Sequence, residues 1–298
     1  MKRPFVLFAV LCCLLSCRPP HHEIVIGSKN FTEQVVLGEL LAQQIERRTG
    51  QHVDRRFYLA GSYIAHQAIL AGRIDGYVEY TGTALTAILK SKPSSNASQV
   101  FEQVKEDYAS RFHLLVLPSL GFNNTFALVV RSDDANRFHL KTIADLAAHP
   151  ELRLGVGYEF LERPDGYRGL STAYGLRFAS EPRVMDLGLL YRALKQREID
   201  VAVGSNTDSQ IEAMHLIVLE DNRHYFPPYE AVPIIRPEII EHDSRIGSAL
   251  GELEGAIKVE DIRKMNYAVD VEHADVSRVA KDFLNQLDQR SYNSDAPR

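Results

Sequence analysis

"AILAGRIDGYVEYTGTA", residues 68–84, and "ALKQREIDVAVGSNTDS", residues 193–209, read the same way. Each is the end of a helix, a basic residue beside Ile-Asp, a strand, and then a loop rich in Ser, Thr or Asn. The shared order predicts an α/β chain of two similar halves, each presenting a polar loop to a common cleft. In such folds ligands sit at the carboxyl ends of strands. A repeat this short also arises by chance in α/β chains.

Outward from these stretches the alternation continues. "IVIGSKNFTEQVVLGELLAQQI", residues 24–45, is a short strand that becomes an amphipathic helix at Gly27-Ser28-Lys29. Asn30 or Thr32 can cap that helix, because their side-chain oxygens accept the unpaired N–H groups of a first turn. A strand end joined to a helix start is a ready anion site, to which Lys29 adds a full charge. An ordinary turn with a solvated lysine fits the same residues. "HVDRRFYL" is a strand, "SSNASQVFEQVKEDYASRF" a helix, and "YVEYTGTALTAIL" a strand, a loop and a helix. "LIVLEDNRHYFPPYEAVPII" is strand-like around a Pro-Pro turn, and helices close the chain.

The first seventeen residues, "MKRPFVLFAVLCCLLSC", stand apart. Lys2 and Arg3 precede an apolar run from Phe5 to Leu15 that is too short for a permanent membrane span. "LLSC" resembles a bacterial lipobox. Residues 1–16 then form a signal peptide, Cys17 is lipidated, and residues 17–22 are a tether. A plain signal peptide cut elsewhere, or a short anchor, is the alternative. Loss of Lys2 and Arg3 takes a net charge of −5 to −7. The cysteines are Cys12, Cys13 and Cys17, so the part beyond Cys17 has no thiol for catalysis, disulfides or zinc. An exported chain of 298 residues can be stable on its core alone. The acidic balance offers no basic face for nucleic acid.

"GSKNFTEQ", "YVEYTGTA", "RPDG", "NTDS" and "PPYEA", in this order and spacing, resemble the substrate-binding proteins of quaternary-amine ABC importers. These serve glycine betaine, choline, carnitine and related osmoprotectants. The resemblance covers about Glu23 to Leu287. It implies a two-lobed periplasmic-binding-protein fold of type II, with the ligand between lobes joined by two crossing segments. Lobe one is then 23–124 with 230–298, lobe two is 125–229, and the crossings fall near "NNTF" and "PPYE". Together with the lipobox, it implies an extracytoplasmic lipoprotein facing the periplasm or cell exterior. That lipoprotein hands a small zwitterion to a permease and its ATPase, works as a monomer, and has no catalytic role, cofactor or metal.

Carried over by motif, Lys29, Thr83 and Arg163 meet the ligand carboxylate. Tyr80, Asn124, Phe126, Ser205 and Tyr229 surround the cation, and Tyr63 and Ser28 are possible walls. A quaternary ammonium has no N–H donor, so aromatic faces must hold it, at about 0.5–2 kcal/mol each. Phe126 stands where a tyrosine is usual. Ser205 replaces a ring altogether, so a three-sided cage or a different head group is expected. Choline, lacking a carboxylate, would leave Lys29 and Arg163 facing each other unpaired. Asp208 reads as a helix cap. Glu79 and Asp208 as an acid–base pair find no support in spacing, and no nucleophile elbow, P-loop or HExxH is present. The alternatives kept open are an ergothioneine-like betaine or an amino acid as ligand, and, less favoured, a ligand-sensing subunit or an enzyme.

Overall fold

The structure is a computed structural model that describes residues 23–294. The leader, Cys17 and the tether lie outside the described residues. Among the described residues, ten strands form two five-stranded sheets. The first lobe is built on β1 (Ile24–Gly27), β2 (Val53–Arg56), β3 (Gly76–Tyr80), β4 (Leu115–Val116) and β10 (Ala231–Ile235), in the order β2-β1-β3-β10-β4. The second is built on β5 (Phe126–Arg131), β6 (Leu154–Val156), β7 (Arg183–Val184), β8 (Val201–Ser205) and β9 (Leu216–Val218), in the order β7-β6-β8-β5-β9.

The two sheets repeat each other strand for strand. β1 lies parallel to β2 and β3, as β6 does to β7 and β8. β3 runs antiparallel to β10, as β8 does to β5. The Ile-Asp signature explains part of this likeness. Asp75 accepts the N–H of Val25 at 2.9 Å, and Asp200 accepts that of Arg153 at 3.1 Å. Each aspartate thus satisfies a donor where the neighbouring strand begins, and each is paired with an arginine at the end of the antiparallel partner. These are Arg236 for Asp75, at 3.3 Å, and Arg131 for Asp200, at 2.8 Å.

The strands are short; β3 and β10, at the centre of the first sheet, are buried along their whole length, while the edge strands β7 and β9 are largely exposed. Long helices supply the cover. Helix Thr32–Thr49 packs against helices Val276–Ser294, Ser244–Gly251 and Val259–Asp270, so the last segments of the chain return to the first lobe. The two crossings lie side by side, with Asn123 bridged to Glu230 in antiparallel fashion. Among the described residues, no helix is long and apolar enough to cross a membrane.

Two local expectations change. Helix Thr32–Thr49 has Phe31 at its N-cap and no side-chain cap. Thr32 instead donates to Asp270 at 2.5 Å, because its hydroxyl is drawn to the helix packed beside it. β3 runs directly into helical backbone where a loop was expected. The chain turns helical at once over Thr81–Thr83 and continues as a wider turn over Ala84–Ile88.

Candidate functional site

Strand ends of both sheets converge on a cavity of about 540 Å³, within the size range of small-ligand sites. Lys29, Tyr63, Tyr80, Thr83, Asn124, Phe126, Arg163, Ser205 and Tyr229 all line it. Ser28 does not. Its hydroxyl donates to the Lys29 carbonyl and accepts the Tyr58 N–H, tying down the neighbouring loop, so the expected wall at Ser28 is corrected. That loop carries strain at the cavity edge, with Tyr58 at φ 62° and Ala60 at φ 132°.

Arg163 is 4% exposed and bound on three sides. Its Nε and Nη2 meet Asp165 at 2.9 and 2.6 Å, and its Nη1 donates to Thr83 at 3.0 Å. Burial alone would push the Asp165 carboxyl up. The Arg163 charge overcomes that and holds it below its ordinary range. The guanidinium carbon lies 4.9 Å from the Phe126 ring centre. Phe126 also meets Phe160, Phe226 and Tyr229 at 5.0, 5.6 and 5.5 Å. The rings therefore form one aromatic wall, with the Asp165-paired guanidinium beside it.

Lys29 is arranged differently from expectation. Its ammonium sits 2.5 Å from a fully buried Glu79 oxygen and 4.4 Å from the Tyr80 ring centre. Burying a lone carboxylate is costly, so the lysine is committed to Glu79. Lys29 and Arg163 each have a buried carboxylate of their own. They are not left unpaired when a ligand lacks one, so choline is no longer disfavoured on that ground. The lysine expected to serve an anion at this helix start is taken by the protein's own Glu79.

Sequence reasoning missed Glu33, although it lies inside "GSKNFTEQ". It is 3% exposed in the cavity wall. Tyr80 Oη and Asn124 Nδ2 donate to one of its oxygens at 2.6 and 2.5 Å, and Asn266 Nδ2 to the other at 3.0 Å. Burial, and then the Glu33 charge, push the Tyr80 phenol well above its ordinary value, which keeps it a donor. An acid in a first helical turn reads as ordinary dipole pairing, so no sequence signal marked it.

Asp208 also gains a place. It occupies the N-cap position of helix Ser209–Ala213 without capping it. It accepts instead from Tyr191 Oη at 2.6 Å and the Ser205 N–H at 2.8 Å. Burial raises its carboxyl to about 6, against the pull of those two donors. Tyr191 lines the cavity next to Ser205, where a box ring was expected to be absent. A Cβ on Gly204 would lie 2.2 Å from Tyr191 Oη, so only glycine admits that ring.

The lobes touch across the cleft at further points. Glu159 of the second lobe accepts the Tyr63 N–H at 3.2 Å, at the start of helix Ser62–Leu70. Ser209 donates to Asp270 at 2.8 Å, and Asn266 Nδ2 donates to the Thr207 carbonyl at 3.1 Å.

Two matched sheets, paired crossings and a polar–aromatic cavity between the lobes define a solute-binding protein. Residues 22–286 match the family described as the substrate binding domain of ABC-type glycine betaine transport systems, and the chain belongs to that family. Its members are extracytoplasmic transport proteins rather than enzymes. The chain is 34% identical to the carnitine transport binding protein OpuCC of Listeria monocytogenes, over 96% of this chain and 97% of the relative. It is 35% identical to the ergothioneine transport permease/ergothioneine binding protein EgtU of Helicobacter pylori, over 89% of this chain and 47% of that protein. Among solved structures, a glycine betaine/carnitine/choline ABC transporter protein superposes with a TM-score of 0.72 at 31% identity. That match covers 89% of this chain and 98% of the other.

Proposed function

We propose that this protein captures a betaine-type quaternary-amine zwitterion between its lobes and delivers it to an ABC permease for uptake. The observation that carries the reading is Arg163 bound to Thr83 across the cleft, beside the rings of Phe126 and Tyr229. One cleft thus offers a carboxylate the two guanidinium N–H groups that Asp165 and Thr83 leave over on Nη1 and Nη2, and offers aromatic faces to a cation that cannot hydrogen-bond. Tyr80, Asn124 and Ser205 complete the cation end, and the role at the carboxylate end passes from Lys29 to Arg163 and Thr83. The lobes divide at 124/125 and 229/230, and closure over the ligand presents the form that the permease recognises.

A bulkier betaine of the ergothioneine kind is the second reading. It is favoured by the 540 Å³ cavity and by Ser205, which leaves room where a ring would stand. Calorimetric titration with glycine betaine, carnitine, ergothioneine, choline and plain amino acids tests both. Binding of a plain amino acid alone, with no response to any quaternary amine, would overturn them.

The protein acts as a monomeric lipoprotein held through Cys17. Cys17→Ala should move it from the membrane to the soluble fraction, and a mass spectrum showing an unmodified N-terminus elsewhere would end that idea.

A further inference from the structure

We propose that Glu33 is the fixed counter-charge for the ligand's cationic nitrogen, and so sets the preference for a charged over a neutral head group. This deepens the quaternary-amine reading and rests on it.

The inference comes from matching charges around the cavity. Two cations line it, Lys29 and Arg163, and each is spent on a buried carboxylate, Glu79 or Asp165. Glu33, like the lining Glu159, Asp186, Asp208 and Asp270, is paired with no cation among the described residues, and of these acids it is the one held by both Tyr80 and Asn124. Among the described residues its partners are a phenol and two amides, all neutral donors. Those donors orient the carboxylate without cancelling its charge. Two of them, Tyr80 and Asn124, belong to the proposed cation end, so the surplus charge lies where a trimethylammonium group would arrive.

Aromatic faces alone would make a weak selector here. The Lys29 ammonium already lies 4.4 Å from the Tyr80 ring centre, and the Arg163 guanidinium carbon lies 4.9 and 5.9 Å from those of Phe126 and Tyr229. A ligand cation must share each ring with a resident one. A carboxylate 3% exposed, in a site that expels water on closure, attracts a cation far more strongly than it would in bulk solvent. It needs no hydrogen bond to do so, which suits a nitrogen that has none to give.

The test uses a ligand pair that differs only in charge. Glycine betaine and 3,3-dimethylbutanoate share a shape, with carbon replacing the quaternary nitrogen. Each is titrated calorimetrically into the purified full chain, as wild type, Glu33→Gln and Glu33→Asp. The wild type should prefer the betaine. Glu33→Gln, which keeps an acceptor oxygen and most of the shape, should reduce that preference by about tenfold or more. Its binding of the dimethylbutanoate anion, whose tert-butyl end carries no positive charge, should not weaken. Glu33→Asp keeps the charge and should keep the preference even where both ligands weaken. An unchanged preference in Glu33→Gln, or its loss in Glu33→Asp, overturns the proposal. So does a wild type that binds both ligands equally, and each of these results leaves the transport reading standing. A wild type that binds no quaternary amine overturns that reading instead, and this proposal with it.

Discussion

Arg163 of the second lobe donates to Thr83 of the first at 3.0 Å, while Asp165, two residues on, holds the other edge of the same guanidinium. One side chain therefore has a local duty and a cross-cleft duty, and the two can be separated. Arg163→Ala leaves Asp165 buried without its cation and should cost about 3–5 kcal/mol of stability. Arg163→Ala with Asp165→Ala should recover most of that stability in urea unfolding and none of the ligand affinity. Thr83→Val should leave stability nearly unchanged and weaken ligand binding by about 0.5–1.5 kcal/mol.

A second contact across the cleft is built from Glu159 and the backbone at Gly61. An added Cβ at Gly61 would lie 2.3 Å from the Glu159 carboxyl carbon. Gly61→Ala should displace Glu159 from the Tyr63 N–H, and Glu159→Ala should remove the contact outright. Both should favour the open form by about 0.5–1.5 kcal/mol. X-ray scattering at saturating ligand should then show less compaction than in the wild type. Identical curves for wild type with and without bound ligand would refute closure itself.

Two groups give stability opposite slopes with pH. Burial lowers the His66 imidazole to about 4, between the rings of Tyr108 and Phe112. The unfolded chain therefore binds the extra proton first, and stability falls as pH drops from about 6.5 toward 4, by up to ~3 kcal/mol. Asp208, raised to about 6, works the other way. Its contribution is present below about 3.9 and is lost as pH rises through 6. Unfolding free energies between pH 4 and 7 should lose the acid-side decline in His66→Phe. In Asp208→Asn that decline should steepen, because the opposing slope is gone.

Ser205 stands opposite Phe126 in the strand register, at the position where it replaces a ring that the family resemblance implies. Ser205→Tyr should tighten glycine betaine by about 0.5–2 kcal/mol and weaken bulkier betaines by filling their space. Gly204→Ala should cost about 1–3 kcal/mol of stability by forcing Tyr191 off Asp208. Calorimetry on the first variant and thermal unfolding of the second would show either effect.

The alternation of helix, Ile-Asp and strand was readable because each step is local. The period of the apolar residues sets the element, and the aspartate satisfies a donor at the neighbouring strand's start. The aromatic and hydroxyl residues of the site were readable through the motifs they occupy. Pairing of charges was not. Nothing near Lys29 in sequence points to Glu79, fifty residues on, and nothing near Glu33 points to Asn124 or Asn266. Glu159 and Tyr191 were missed for the same reason. Their roles depend on glycines at 61 and 204 that leave room for them, and that room appears only once two distant segments meet.

The placement of residues 23 and 294, where the described structure begins and stops, decides how load passes through it. β1 opens the first lobe, and helix Val276–Ser294 packs back onto helix Thr32–Thr49 of the same lobe. The second lobe is strung between two neighbouring strands and carries neither end of the described residues. A pull on either end, from an anchor or a fused probe, is borne by the first lobe alone. The second is then free to swing without dragging the attachment, and a label at a terminus would be blind to that swing.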